Sequence, residues 1–214
     1  MSRQIRSLSR EGRDCRGHKF RGMPLVYAVC SCQLGHDSKV NSEPLLTIRQ
    51  ATPEDSLAVA RVHLAAWRAA YRGIIPDSYL DALDEGTRAS RYTFDRNGPD
   101  DPLTWIALEG GHVRGFVTLG PARDGEQGQG EIIALYVSPL SWRSGVGTVL
   151  LAHAERHLVP RGLNEALLWV LKDNSRGRLF YEARGWQCDA HELTAPFDGH
   201  EVLEARYSKS LRGQ

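Results

Sequence analysis

Residues 131–155 read EIIALYVSPLSWRSGVGTVLLAHAE, and hydrophobic periodicity divides them into three parts. Residues 131–137 form a continuous apolar, β-branched run, the pattern of a central strand buried on both faces. From residue 145 onward Val146, Val149, Leu150, Ala154 and Leu158 recur at helical spacing, and Pro160 and Gly162 close the helix. The ten residues between, SPLSWRSGVG, connect a buried strand to a helix N-terminus. Such a loop turns several backbone N–H groups toward one point, and the helix end adds a partial positive charge, so together they suit a diphosphate. Gly145 and Gly147 lack a Cβ that would hold a phosphate away from the amides. A plain strand-to-helix turn has the same residues, and two glycines spaced by one residue do not separate the two readings.

Rival nucleotide motifs are absent. A dinucleotide fingerprint needs a third glycine where Leu150 stands, and no Gly-Lys-Ser or Gly-Lys-Thr occurs for a P-loop.

Outward from this stretch, residues 166–171 (ALLWVL) read as a second apolar strand, followed by a helix over 175–183 that ends at Gly185. Strand-like runs 103–109 and 113–119 flank Gly110-Gly111 as an antiparallel hairpin. Residues 121–130 read as a surface loop. Toward the start, 45–50 alternates as a strand, and Thr52, Pro53 and Asp55 form a helix-start signal close to a capping box. Leu57, Ala60, Leu64, Trp67 and Tyr71 then share one helical face, a core stripe. Shorter helices are expected over 77–83 and around 88–95, and final strands over 186–193 and 201–208 surround a loop containing Pro196.

The 214 residues suffice for one domain and a tail. Residues 1–44 carry eight Lys and Arg against four Asp and Glu, whereas residues 45–214 carry nineteen against twenty-two. The first 44 residues read as a disordered extension and 45–213 as the domain. A slightly acidic domain with scattered arginines offers no basic stripe, which argues against a nucleic-acid partner. No stretch approaches the roughly 18 apolar residues of a spanning helix, so no membrane partner is expected. Cys15, Cys30, Cys32 and Cys188 build neither a disulfide framework nor a zinc-ligand pattern, which points to the cytoplasm. The histidines form no metal constellation. His153 and His157, one turn apart, read as a solvated helix face.

Residues 131–155 resemble the acetyl-CoA-binding motif of the GNAT superfamily of N-acetyltransferases, a strand, a loop of form Gln/Arg-x-x-Gly-x-Gly/Ala and a helix. Trp142 stands where Gln or Arg is usual, and Arg143 offers the missing charge. Residues 167–186 (LLWVLKDNSRGRLFYEARGW) resemble the family's next strand and helix, and 67–83 (WRAAYRGIIPDSYLDAL) the acceptor-side helices of many bacterial members. The resemblance covers about 165 residues.

It implies an α/β fold with a mixed, mostly antiparallel twisted sheet flanked by helices, splayed between two central parallel strands to admit acetyl-CoA. It further implies that Leu135, Tyr136 and Val137 present backbone groups to the acetyl and pantetheine parts. Arg143, Ser144, Gly145, Val146, Gly147 and Thr148 would surround the pyrophosphate. Asn174 would hydrogen-bond the pantetheine, and Tyr181 would sit at the sulfur as acid. Glu131 matches the catalytic glutamate of the superfamily's histone acetyltransferases. Ordered water is the alternative base, and an exposed carboxylate without a role the alternative reading of Glu131. Trp67, Tyr71 and Tyr79 would line the acceptor pocket, unless the first two serve only as core. No metal is implied. The acceptor is a small-molecule or protein amine, and a homodimer remains open. A non-catalytic acyl-CoA sensor, another acyl group and a hydroxyl acceptor also stay open.

Overall fold

Side chains alternate across strands, so a sheet buried on both sides must be covered by helices on both. The computed structural model describes residues 45–96, 98, 100–122, 128–197 and 200–212, and the expected extension over 1–44 lies outside them. In chain order the elements are β1 (Thr47–Gln50), α1 (Ser56–Ala70), α2 (Asp77–Ala82), α3 (Glu85–Ala89), β2 (Leu103–Glu109) and β3 (His112–Pro121). Then follow β4 (Gln129–Val137), α4 (Val146–Leu158), β5 (Glu165–Leu171), α5 (Ser175–Glu182), β6 (Gln187–Phe197) and β7 (His200–Ser210). Seven strands form one sheet in the order β1-β2-β3-β4-β5-β7-β6. Neighbours are antiparallel except β4 and β5. This is the mixed, mostly antiparallel architecture expected.

On one face Val146, Leu150, Leu151, Ala154 and Leu158 of α4 pack on Val117, Leu119, Ile132, Leu168 and Tyr207. On the other, Val59 and Val62 of α1 meet Ile106 and Phe116, while Ile75 and Leu80 meet Leu171 and Val202. Each fully buried aliphatic side chain contributes about 1.5–3 kcal/mol relative to exposure. Beneath α4, Glu155 is buried yet satisfied: Trp186 Nε1 donates to it at 2.8 Å and Lys209 Nζ at 2.9 Å.

The parallel ladder is short. It joins Gln129 to Glu165, Gly130 to Ala166 and Glu131 to Leu167. Beyond that, β4 stays with β3 as far as Gly115 opposite Val137, and β5 stays with β7 as far as Leu171 opposite Glu204. The β3–β4 register jumps from Thr118 opposite Ala134 to Leu119 opposite Ile132, so Ile133 is an extra residue. A bulge bends its strand, and this one lies two residues past the last parallel pair. It also keeps Leu135 and Val137 on the α4 face, while Ala134 and Tyr136 face α1.

The capping box expected at Thr52 and Asp55 is present, with Asp55 accepting from the Thr52 backbone N–H at 2.8 Å. Other local expectations are corrected. The charged helix lies at Glu85–Ala89 and not around 88–95, because Asp84 caps it by accepting from the Thr87 N–H at 2.7 Å. Pro196 belongs to β6, opposite Glu201, and not to a loop. His153 and His157 do not form a solvated face: they stack at 4.0 Å, and Trp105 packs on both at 4.4 and 4.5 Å.

Candidate active site

The turn after β4 is held from within. Ser138 N–H donates to Arg114 O at 2.8 Å, and Trp142 Nε1 donates to Val137 O at 2.9 Å. Arg143 (φ 66°) and Gly145 (φ 90°) both take the left-handed conformation. Paired left-handed residues beside a helix start curl successive amides around a concavity that suits an anion. Gly145 is the N-cap of α4 and brings no side-chain cap, so the first-turn N–H groups of Val146, Gly147 and Thr148 are left for solvent or a ligand. A Cβ on Gly145 would meet nothing within 4 Å, so its backbone angle and not crowding requires glycine. At Gly147 a Cβ would lie 3.3 Å from the Phe180 ring and 3.5 Å from Val137, so a side chain there would also press on α5.

Two arginines missed in the sequence flank this turn. The Arg176 guanidinium stacks on Trp142 at 4.0 Å, and Arg184 lies over Phe180 at 3.8 Å while donating to Thr148 Oγ at 3.2 Å. Their signal was the four-residue spacing Arg176, Phe180, Arg184, which aligns side chains on one helical face. Trp142, in place of the usual polar residue, gives Arg176 a platform.

Asn174 caps α5, its Oδ1 accepting from the Gly177 N–H at 3.0 Å. Tyr181 is half-buried on α5, its ring 5.2 Å from Phe180 and 6.1 Å from Trp186. Burial, and secondarily Tyr136, push its phenol above the ordinary range. Tyr136 is also raised, mainly by burial, and its ring packs edge-on against Trp67 at 6.3 Å. Tyr71 is raised by burial, then by Tyr136, Tyr181 and Glu204. Tyr181 packs on the α4 face, whereas Tyr71 and Tyr136 belong to the α1 side. Of the three, Tyr136 lies on β4 beyond its last pair with β5.

Trp67, Tyr71 and Tyr79 pack around the cluster of Ile75, Leu80, Leu171 and Val202, so all three combine a core role with a position on the α1 side. An open groove of about 390 Å³ runs beside them, between Gly73–Asp77 and Glu201–Val202. Glu131 lies at the closed end of the opening and is 2% exposed, which removes the exposed-carboxylate alternative. Gly130 and Ile132 face α4, so Glu131 points to the α1 side.

The model of the acetyltransferase (GNAT) family matches residues 65–186. The chain belongs to this family. A Bacillus subtilis relative named as an uncharacterized N-acetyltransferase is 32% identical over 143 residues, 65% of this chain and 79% of the relative. A Mycobacterium tuberculosis relative named "probable N-acetyltransferase" is 30% identical over 164 residues, 76% of this chain and 92% of the relative. The GNAT fold itself is shared with the PaiA N-acetyltransferase of Thermoplasma acidophilum, solved in complex with coenzyme A. That likeness has a TM-score of 0.55 at 21% identity, over 78% of this chain and 99% of the other. No helix among the described residues is long and apolar enough to cross a membrane.

Proposed function

We propose that the protein transfers an acetyl group from acetyl-CoA to a primary amine by direct attack. The observation that carries this reading is the uncapped, left-handed turn at Arg143–Gly145 opening onto strands that part after Glu131 and Leu167. The residues fit an acyl-CoA: amides of residues 143–148 for the diphosphate, with Arg143 and Arg176 adding charge, and Asn174 Nδ2 for the pantetheine. The backbone of Leu135, Tyr136 and Val137, freed from β5, would donate to the acetyl carbonyl and polarise it. The coenzyme A complex of the Thermoplasma relative supports the same co-substrate.

When bound, acetyl-CoA supplies the activated acyl carbon. The N–C bond forms as the C–S bond breaks, and the proton lost by the amine balances the one gained by the departing sulfur. Glu131, buried on the acceptor side, is the candidate base, acting directly or through water. Tyr181, with its phenol held in the protonated form, is the candidate donor to the sulfur. A raised phenol releases its proton reluctantly, so its contribution is a hydrogen bond to the developing thiolate more than complete transfer.

Acceptor-dependent release of free CoA tests this reading. Pools of small amines and peptides mixed with protein and acetyl-CoA should release CoA in proportion to enzyme. Tight acetyl-CoA binding without such release would favour a sensor, and release with alcohols or with longer acyl-CoAs alone would change the reaction assigned.

A further inference from the structure

Arg178 and Arg184 leave α5 in opposite directions. Arg178 turns to the sheet, donating to Tyr207 Oη at 3.0 Å and to Lys172 O at 3.3 Å, and Tyr207 donates onward to Glu182 at 2.6 Å. Arg184, just past the end of α5, turns to the start of α4. Its guanidinium lies over the Phe180 ring at 3.8 Å, the ring that stands against Gly147. Nη1 donates to Phe180 O at 2.7 Å, while Nε at 3.2 Å and Nη2 at 2.5 Å both donate to Thr148 Oγ. Among the described residues Arg184 has no carboxylate in an ion pair.

Thr148 stands in the first turn of α4, beside the N–H groups that Gly145 leaves uncapped. A hydroxyl offers two lone pairs and one proton. Arg184 occupies the lone pairs, so the Thr148 O–H can only donate. The guanidinium also brings a full positive charge to a helix end that carries about half of one. At the end of α5 that charge is favourable, whereas at the start of α4 it opposes the dipole until an anion is present. Contacts from two helices thus concentrate donors and charge on one turn.

Resting on the acetyl-transfer reading, we propose that Arg184 is a positioning residue for the co-substrate diphosphate, locking the Thr148 hydroxyl as a donor and adding its own charge to the amides of α4. The diphosphate is then held from outside the strand-turn-helix segment as well as from within it. Two of the five guanidinium N–H groups remain free to reach a phosphate oxygen directly.

Calorimetry of CoA binding to the full chain, at low and at high ionic strength, tests this. Arg184→Gln should weaken CoA binding by about tenfold or more at low salt, the range of a charge-assisted hydrogen bond. Arg184→Lys should recover part of the loss. Because the lost contribution is electrostatic, the affinities of wild type and Arg184→Gln should converge as salt rises. Thr148→Val should weaken binding in the wild type but add little in the Arg184→Gln background, since one group acts through the other. Unchanged CoA affinity in Arg184→Gln would overturn the proposal. So would a loss of equal size at every ionic strength, the signature of a tie between α5 and α4 that serves packing alone. If the wild type itself binds no CoA, the acetyl-transfer reading falls and takes this one with it.

Discussion

Glu131 and Leu167 are the last partners of the parallel β4–β5 ladder, so the buried carboxylate sits where the sheet begins to open. Six residues separate Glu131 from Val137, a reach of about 20 Å along an extended strand and less across the bulge at Ile133. A base at that depth reaches an amine near Val137 most naturally through water. Glu131→Gln should then lower kcat by about 10²-fold or more at saturating substrates. A near-normal kcat would assign the proton to solvent.

Tyr181 is held protonated by burial and by its neighbour Tyr136. Because its proton is retained, the Tyr181-dependent part of kcat should persist to about pH 10, the ordinary phenol range, and beyond. Tyr181→Phe should reduce kcat by about 10- to 100-fold while acetyl-CoA affinity changes little. Steady-state profiles of both proteins check this, and an alkaline decline near pH 9 that vanishes in the variant would contradict it.

Gly145 carries φ 90° with open space around its missing Cβ. Alanine fits sterically but strains the backbone by about 1–3 kcal/mol, and relaxation of that strain would turn the amides away from their common point. Gly145→Ala should weaken acetyl-CoA binding by about tenfold in calorimetry, with a smaller effect on thermal stability.

His63 is buried, and burial with the Arg88 charge lowers its pKa to about 3. The unfolded chain protonates this group below about pH 6.5, whereas the folded chain does not, so the unfolded state binds more protons. Stability should therefore fall as pH drops from about 6.5 toward 3, by an amount on the order of a few kcal/mol. His63→Phe keeps the stacking on Tyr136 and removes the titration. Denaturant midpoints at pH 7 and pH 4 should differ less in the variant than in the wild type.

The fold was legible where one local pattern dominated. Residues 131–137 and 166–171 could only be buried strands, and the glycines after Trp142 marked the helix start that shapes the site. The helix near 88 was misplaced because its charged residues suggested length, while the decisive signal was the single cap Asp84. His153 and His157 looked solvated because a helical pattern carries no information about Trp105, which arrives from β2 about fifty residues earlier in the chain. Within the candidate site, the turn was readable from its glycines, whereas Tyr181 came only from the resemblance to the GNAT superfamily. Arg176 was missed although its spacing from Phe180 and Arg184 put the three on one helical face, because only tertiary packing brings Trp142 beneath it.

The most direct measurement is the backbone amide spectrum of ¹⁵N-labelled protein titrated with coenzyme A. Hydrogen bonding to phosphate should move the resonances of Gly145, Val146, Gly147 and Thr148 downfield together, saturating with the affinity found by calorimetry. Saturable binding that left these four amides unmoved while perturbing another surface would contradict the account.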